Sequence, residues 1–149
     1  VAGYLHDIRR DERDHPRKGA EEALLLMKGR MNDRLSEMAA FAIRNHEAFK
    51  EPESVSDSEF MLCANALYDA DKFRWGPDNF LYTIWDMAES MGAEIRAIMK
   101  HYEKGMEGVA KIKSTFRTKT GQKYGPEFID AGLSIGVALY DFYRKKTEI

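Results

Sequence analysis

The sequence predicts an all-α fold, a single helical bundle of six or seven helices, on three observations. Apolar residues recur at helical spacing along most of the chain, as in Leu35, Met38, Ala39, Ala42 and Ile43. These stretches are punctuated by helix starts (Asp14-His15-Pro16, Asn32-Asp33, Asp57-Ser58) and by breakers (Gly29, Gly76-Pro77, Gly92). No segment alternates apolar and polar residues convincingly enough to read as a strand.

Taken in order, Val1 to Ile8 reads as the last turns of a helix already under way. The expectation is therefore that chain is missing before Val1. A charged loop, residues 9–14, follows. Pro16 suits a first helical position, and the next helix runs to about Met27 before Gly29. Asn32 or Asp33 caps a third helix whose apolar stripe continues through His46. Residues 50–54 form a surface loop. A fourth helix starts at Asp57 or Ser58 and closes near Asp71. After the turn at residues 74–78, residues 79–114 are helical with a break at Gly92. A basic loop, residues 114–126, precedes a last helix from about Glu127 to Lys145.

The chain has 149 residues, a length that suits one domain with a real core, residues 1–149. Its net charge of −2 gives no ground for binding a nucleic acid polymer or an anionic membrane. No window has the long uncharged apolar run of a transmembrane helix, and no signal peptide is visible. The single cysteine, Cys63, lies in an apolar helical run, which rules out an intrachain disulfide and fits a reducing, cytoplasmic setting. Aromatic residues at exposed positions would allow a homodimer.

The chemistry gathers around Asp69-Ala70-Asp71-Lys72, which closes the apolar run from Phe60 to Tyr68. Residues two apart on a helix do not share a face, so one of these carboxylates can point inward. An inward carboxylate needs a cation, hydrogen bonds or a metal. Upstream lie His6-Asp7, His15 in His-Pro-Arg-Lys-Gly-Ala, and His46 in Ile-Arg-Asn-His. Imidazoles and carboxylates together suit divalent Mn, Fe, Zn, Mg or Ni. The metal set is therefore His6, Asp7, His15, His46 and Asp71.

This ordered set resembles the HD-domain superfamily of metal-dependent phosphohydrolases over about residues 1–80. His6-Asp7 is similar to the paired motif, His15 and His46 to the additional histidines of binuclear members, and Asp71 to the late aspartate. The family's first histidine, some tens of residues before the pair, has no counterpart after Val1. The resemblance implies an HD-like fold with residues 1–80 as the metal-site half and 81–149 as a cap or substrate half. It implies a hydrolase that cleaves a phosphoester of a small phosphorylated compound or nucleotide through a metal-bound hydroxide, with one or two ions. Asp7 would be catalytic and could bridge two ions; Asp69 would orient groups or accept a proton. Arg10 stands where several members place a lysine and would hold a phosphate. Lys72, Arg74, Arg117, Lys119 and Lys123 are further candidate anion contacts, with a solvated turn as the alternative for the last three and pairing with Asp69 and Asp78 as the alternative for Lys72 and Arg74. The alternative function is a non-catalytic HD-like module that binds a nucleotide or a partner protein.

Overall fold

A computed structural model of the chain describes residues 1–147. Its regular structure is helical, with no strand among the described residues. The elements are α1 (Ala2–Leu5), α2 (His15–Met27), α3 (Asp33–Arg44), α4 (Ser58–Phe73), a π-helical turn (Asn79–Thr83), α5 (Ile84–Ser90), α6 (Ile95–Met99), α7 (Tyr102–Ile112) and α8 (Lys119–Thr147). The stretch expected as one interrupted helix over residues 79–114 divides further than its composition suggests. Gly92 does break it, at φ +60°, and His101 breaks it again at φ −111° and ψ 1°. No helix among the described residues is long and apolar enough to cross a membrane. The chain forms two compact units, Val1–Asp71 and Lys72–Ile149.

In the first unit α3 is buried on most of its circumference because its residues are small where neighbours must approach. Ala39, Ala40 and Ile43 pack on Ala20, Ala23 and Met27 of α2. Phe41 and Ala42 pack on Ala64 of α4. Leu67 contributes to both clusters. Ile43 is fully shielded, and burial of a side chain of this size contributes on the order of 2 kcal/mol. The Asn32 side chain caps α3 as expected, its Oδ1 accepting from the Leu35 N–H at 3.4 Å. Gly19 lets α2 come close to the turn that carries the His6-Asp7 pair: a Cβ there would lie 3.4 Å from the His6 carbonyl and 3.5 Å from Ile43 Cγ2.

In the second unit the basic stretch is not a loop as far as Pro126. Helix α8 begins at Lys119 and runs through Pro126. Thr118 starts it, its Oγ1 accepting from the Gly121 N–H at 2.9 Å. Proline lacks the donor that the Gln122 carbonyl would otherwise receive, yet the helix continues. Gly121 and Gly125 look like turn signals in the sequence, but both are buried in α8. A Cβ on Gly125 would collide with the Phe116 ring, and one on Gly132 would lie 2.5 Å from the Gly76 carbonyl carbon. Gly125 and Gly132 serve contact, not bending. Phe73 adds rings against Phe116 and Phe128, at 5.1 and 5.8 Å between centroids.

Candidate metal centre

The first unit brings His6, Asp7, His15, His46 and Asp71 into one cluster. His6 and Asp7 lie in the turn that follows α1. His15 opens α2, where Asp14 holds a left-handed backbone at φ 62° and redirects the chain. His46 follows α3 directly, after Asn45. Asp71 lies in the last turns of α4, its side chain 9 % exposed.

Asp7 is the hub. Its Oδ1 is 3.4 Å from His46 Nε2 and 3.7 Å from His15 Nε2. Its Oδ2 is 3.5 Å from His6 Nε2, which is also 3.5 Å from Asp71 Oδ1. The His46 ring makes edge contacts with the rings of His6 and His15, at 5.1 and 5.2 Å between centroids. Good hydrogen bonds to nitrogen fall at about 2.7–3.2 Å, so most of these separations are too long to be satisfied that way. They suit a shared cation better. Ligand atoms about 2.1 Å from one ion lie about 3.0 Å apart at octahedral and about 3.4 Å apart at tetrahedral angles. Asp7, His15 and His46 could hold a metal ion, offering ligand atoms that all lie within 4.8 Å of one another.

Two imidazoles are aimed by the backbone. His6 Nδ1 is 2.8 Å from the Gly3 carbonyl and His46 Nδ1 is 2.6 Å from the Ile43 carbonyl. A carbonyl only accepts, so Nδ1 carries the proton in both rings. When the ring is neutral, Nε2 presents its lone pair to the carboxylate side, the tautomer a metal requires. These tethers left no sequence signal beyond the spacing of three residues, because their acceptors are main-chain atoms.

The charges are unevenly held. The Asp71 carboxylate, followed by the Gly3 carbonyl and the charge on Asp7, raises the His6 pKa above 6.5 against burial. Burial pushes His46 below 6.5, and the charge on His6 adds to that. Burial pulls the Asp7 carboxyl upward, but the charges of His6, Arg10 and His46 prevail and hold it below 3.8. In an imidazole NMR titration without added metal, His6 is expected to protonate above pH 6.5 and His46 below it. The same midpoint for both would show that Asp71 and burial do not separate them. The linked stabilities have opposite signs. The His6 contribution is full below pH 6.5 and is lost as pH rises through its raised folded value. The His46 contribution is present above pH 6.5 and is lost as pH falls toward its lowered one.

The remaining expected residues are placed as follows. The Arg10 guanidinium is 54 % exposed and donates from Nη1 to Asp7 Oδ2 at 2.6 Å, on the outer side of the cluster. Asp69 is buried, 4 % exposed, and leaves α4 about 200° around from Asp71. Lys72, Arg74, Arg117, Lys119 and Lys123 belong to the second unit. There Lys72 is buried, Arg74 lies over the Trp75 ring at 4.9 Å, and the Lys123 ammonium lies over the Tyr124 ring at 4.8 Å. Lys119 and Lys123 stand on the first turns of α8, so the reading of residues 114–126 as a loop is corrected from Lys119 onward.

Compared with known proteins, the chain matches no protein-family model, no curated protein and no solved structure.

Proposed function

We propose that the chain is a metal-dependent phosphohydrolase that cleaves the phosphoester of a small phosphorylated compound or nucleotide. The observation that carries this reading is the arrangement of Asp7, whose two oxygens face different partners. Oδ1 faces His15 and His46; Oδ2 faces His6, which is beside Asp71. The cluster therefore offers two ligand sets that share one carboxylate, as the resemblance to binuclear HD-domain enzymes implies. A set rich in imidazole favours Mn, Fe, Zn or Ni over Mg, which prefers oxygen ligands and keeps its water. A divalent cation bound there supplies Lewis acidity toward a phosphoryl oxygen and acidifies water.

The chain's own groups have separate tasks in this reading. The Gly3 and Ile43 carbonyls hold the His6 and His46 rings in the ligating tautomer. Asp7 stays ionised down to low pH because cationic neighbours favour its charge. Arg10, planar and half in solvent, is placed to exchange its contact with Asp7 for a bidentate contact with a substrate phosphate.

The test is metal analysis of purified protein after loading with Mn and dialysis, followed by an assay with p-nitrophenyl phosphate. Retained metal together with Mn-dependent release of nitrophenol supports the reading. Retained metal without turnover on this or any nucleotide would leave a binding module instead. Failure to retain Mn, Fe, Zn or Ni would remove the reading altogether.

A further inference from the structure

The second unit contains a cavity of about 410 Å³ that the proposed function does not use. Its walls include Trp75, Phe80, Met87, Met91, Met106 and Val109, and no Asp, Glu, Lys or Arg lines it. The recess opens to solvent, with Met87 and Met91 of its wall 52 % and 72 % exposed, so it leaves an apolar surface that the second unit does not itself cover. Small-molecule sites span roughly 300–1,000 Å³ and combine an apolar wall with a few polar groups.

Two polar side chains belong to this apolar wall. Asn79 lines the cavity and is 4 % exposed. The adjoining Tyr102, 6 % exposed, has a buried Oη with no partner among the described residues. Buried polar side chains are usually satisfied, so an orphaned hydroxyl beside a buried asparagine at one apolar cavity is informative. Asn79 begins the π-helical turn, a distortion common where helices serve a site. Met87, Met91 and Met106 give the wall an adaptable, polarisable surface.

We propose that this cavity binds an uncharged, largely apolar small molecule that presents one hydroxyl, carbonyl or amide group to Asn79. No carboxylate, ammonium or guanidinium lines the wall, and its one imidazole, His101, belongs to an exposed residue, so the apolar wall selects against ligands whose charge must be desolvated. The carboxamide both donates and accepts, so it can meet any of those three groups. The site lies within the second unit.

The probe is 1-naphthol, titrated into the full chain and followed through tryptophan emission, since Trp75 lies in the wall. Saturable one-to-one quenching is expected, with 1-naphthalenesulfonate, the same ring system with a fixed charge, binding at least about tenfold more weakly. A Cβ on Gly105 meets nothing within 4 Å, and leucine suits a helix better than glycine. Gly105→Leu should therefore stay folded, by circular dichroism, and lose at least about tenfold in naphthol affinity. Asn79→Ala should weaken naphthol but leave naphthalene unchanged. No saturable binding to the unaltered chain, or equal binding by the sulfonate, overturns the proposal, as does undiminished binding by folded Gly105→Leu. A chain that elutes as a dimer, excludes naphthol and becomes monomeric on Gly105→Leu would assign the cavity to a second copy, which also overturns it.

Discussion

Asp7→Ala is expected to abolish metal retention and to lower Mn-dependent phosphoester hydrolysis by more than about 100-fold, beyond the 10–100-fold typical of groups that only orient ligands. Asp7 lies within 3.7 Å of an imidazole nitrogen of His6, His15 and His46, and its two oxygens face different histidines. Its loss would leave the three imidazoles without their shared carboxylate and would release Arg10 from its contact. The measurement is bound metal per chain and turnover of p-nitrophenyl phosphate, beside Glu21→Ala, which removes an exposed carboxylate paired with Arg17 at 2.7 Å. An Asp7→Ala protein that still carries stoichiometric metal would show that the cluster is not organised around this carboxylate. The Arg10 end of the Asp7–Arg10 pair is 54 % exposed and that pair contributes little to stability, but Asp7 itself is 25 % exposed, so circular dichroism of the variant is recorded beside the metal content.

Gly132→Ala should destabilise the second unit by about 1–3 kcal/mol or more, the range for overpacking a filled interior. The added methyl would meet Gly76 main chain, at 2.5 Å from the carbonyl carbon and 2.6 Å from its oxygen. A backbone neighbour cannot rotate away as a flexible side chain can. The gain of about 1 kcal/mol from replacing a helical glycine by alanine is too small to compensate. For a unit of this size the melting midpoint should fall by roughly 10 °C. Gly108→Ala is the matched control, since a Cβ there meets nothing within 4 Å. It should raise the midpoint, and an equal fall for both variants would dispose of the contact argument.

The side-chain cluster was legible because it depends on residue type and order. His46 continues an apolar stripe, Asp71 closes an apolar helix, and His6, Asp7 and His15 complete the ordered set, which the first unit does bring together. The helix starts at Pro16 and Asn32 were equally readable, since each uses a residue with one strong local preference. The glycines of α8 were misread for a physical reason. A sequence shows that a glycine lacks a side chain, but not whether the missing atom frees φ or admits a neighbour. At Gly125 the answer was Phe116, nine positions away in the chain and adjacent in space. The roles of Gly3 and Ile43 were hidden for a related reason, since every residue has a carbonyl. The apolar cavity was hidden as well, because the Met and aromatic stripes that build it look the same as those that fill a core.

The tethers from His6 to Gly3 and from His46 to Ile43 make the centre depend on spacing more than on identity. Any amino acid at position 3 supplies the same oxygen, and that position is open enough that a Cβ meets nothing within 4 Å. Removing one residue between 3 and 6 would swing the imidazole by about 100° about the helical axis and aim it at the wrong partner. The register of these short segments is therefore inherited as a unit, and insertions or deletions there should be far more damaging than substitutions.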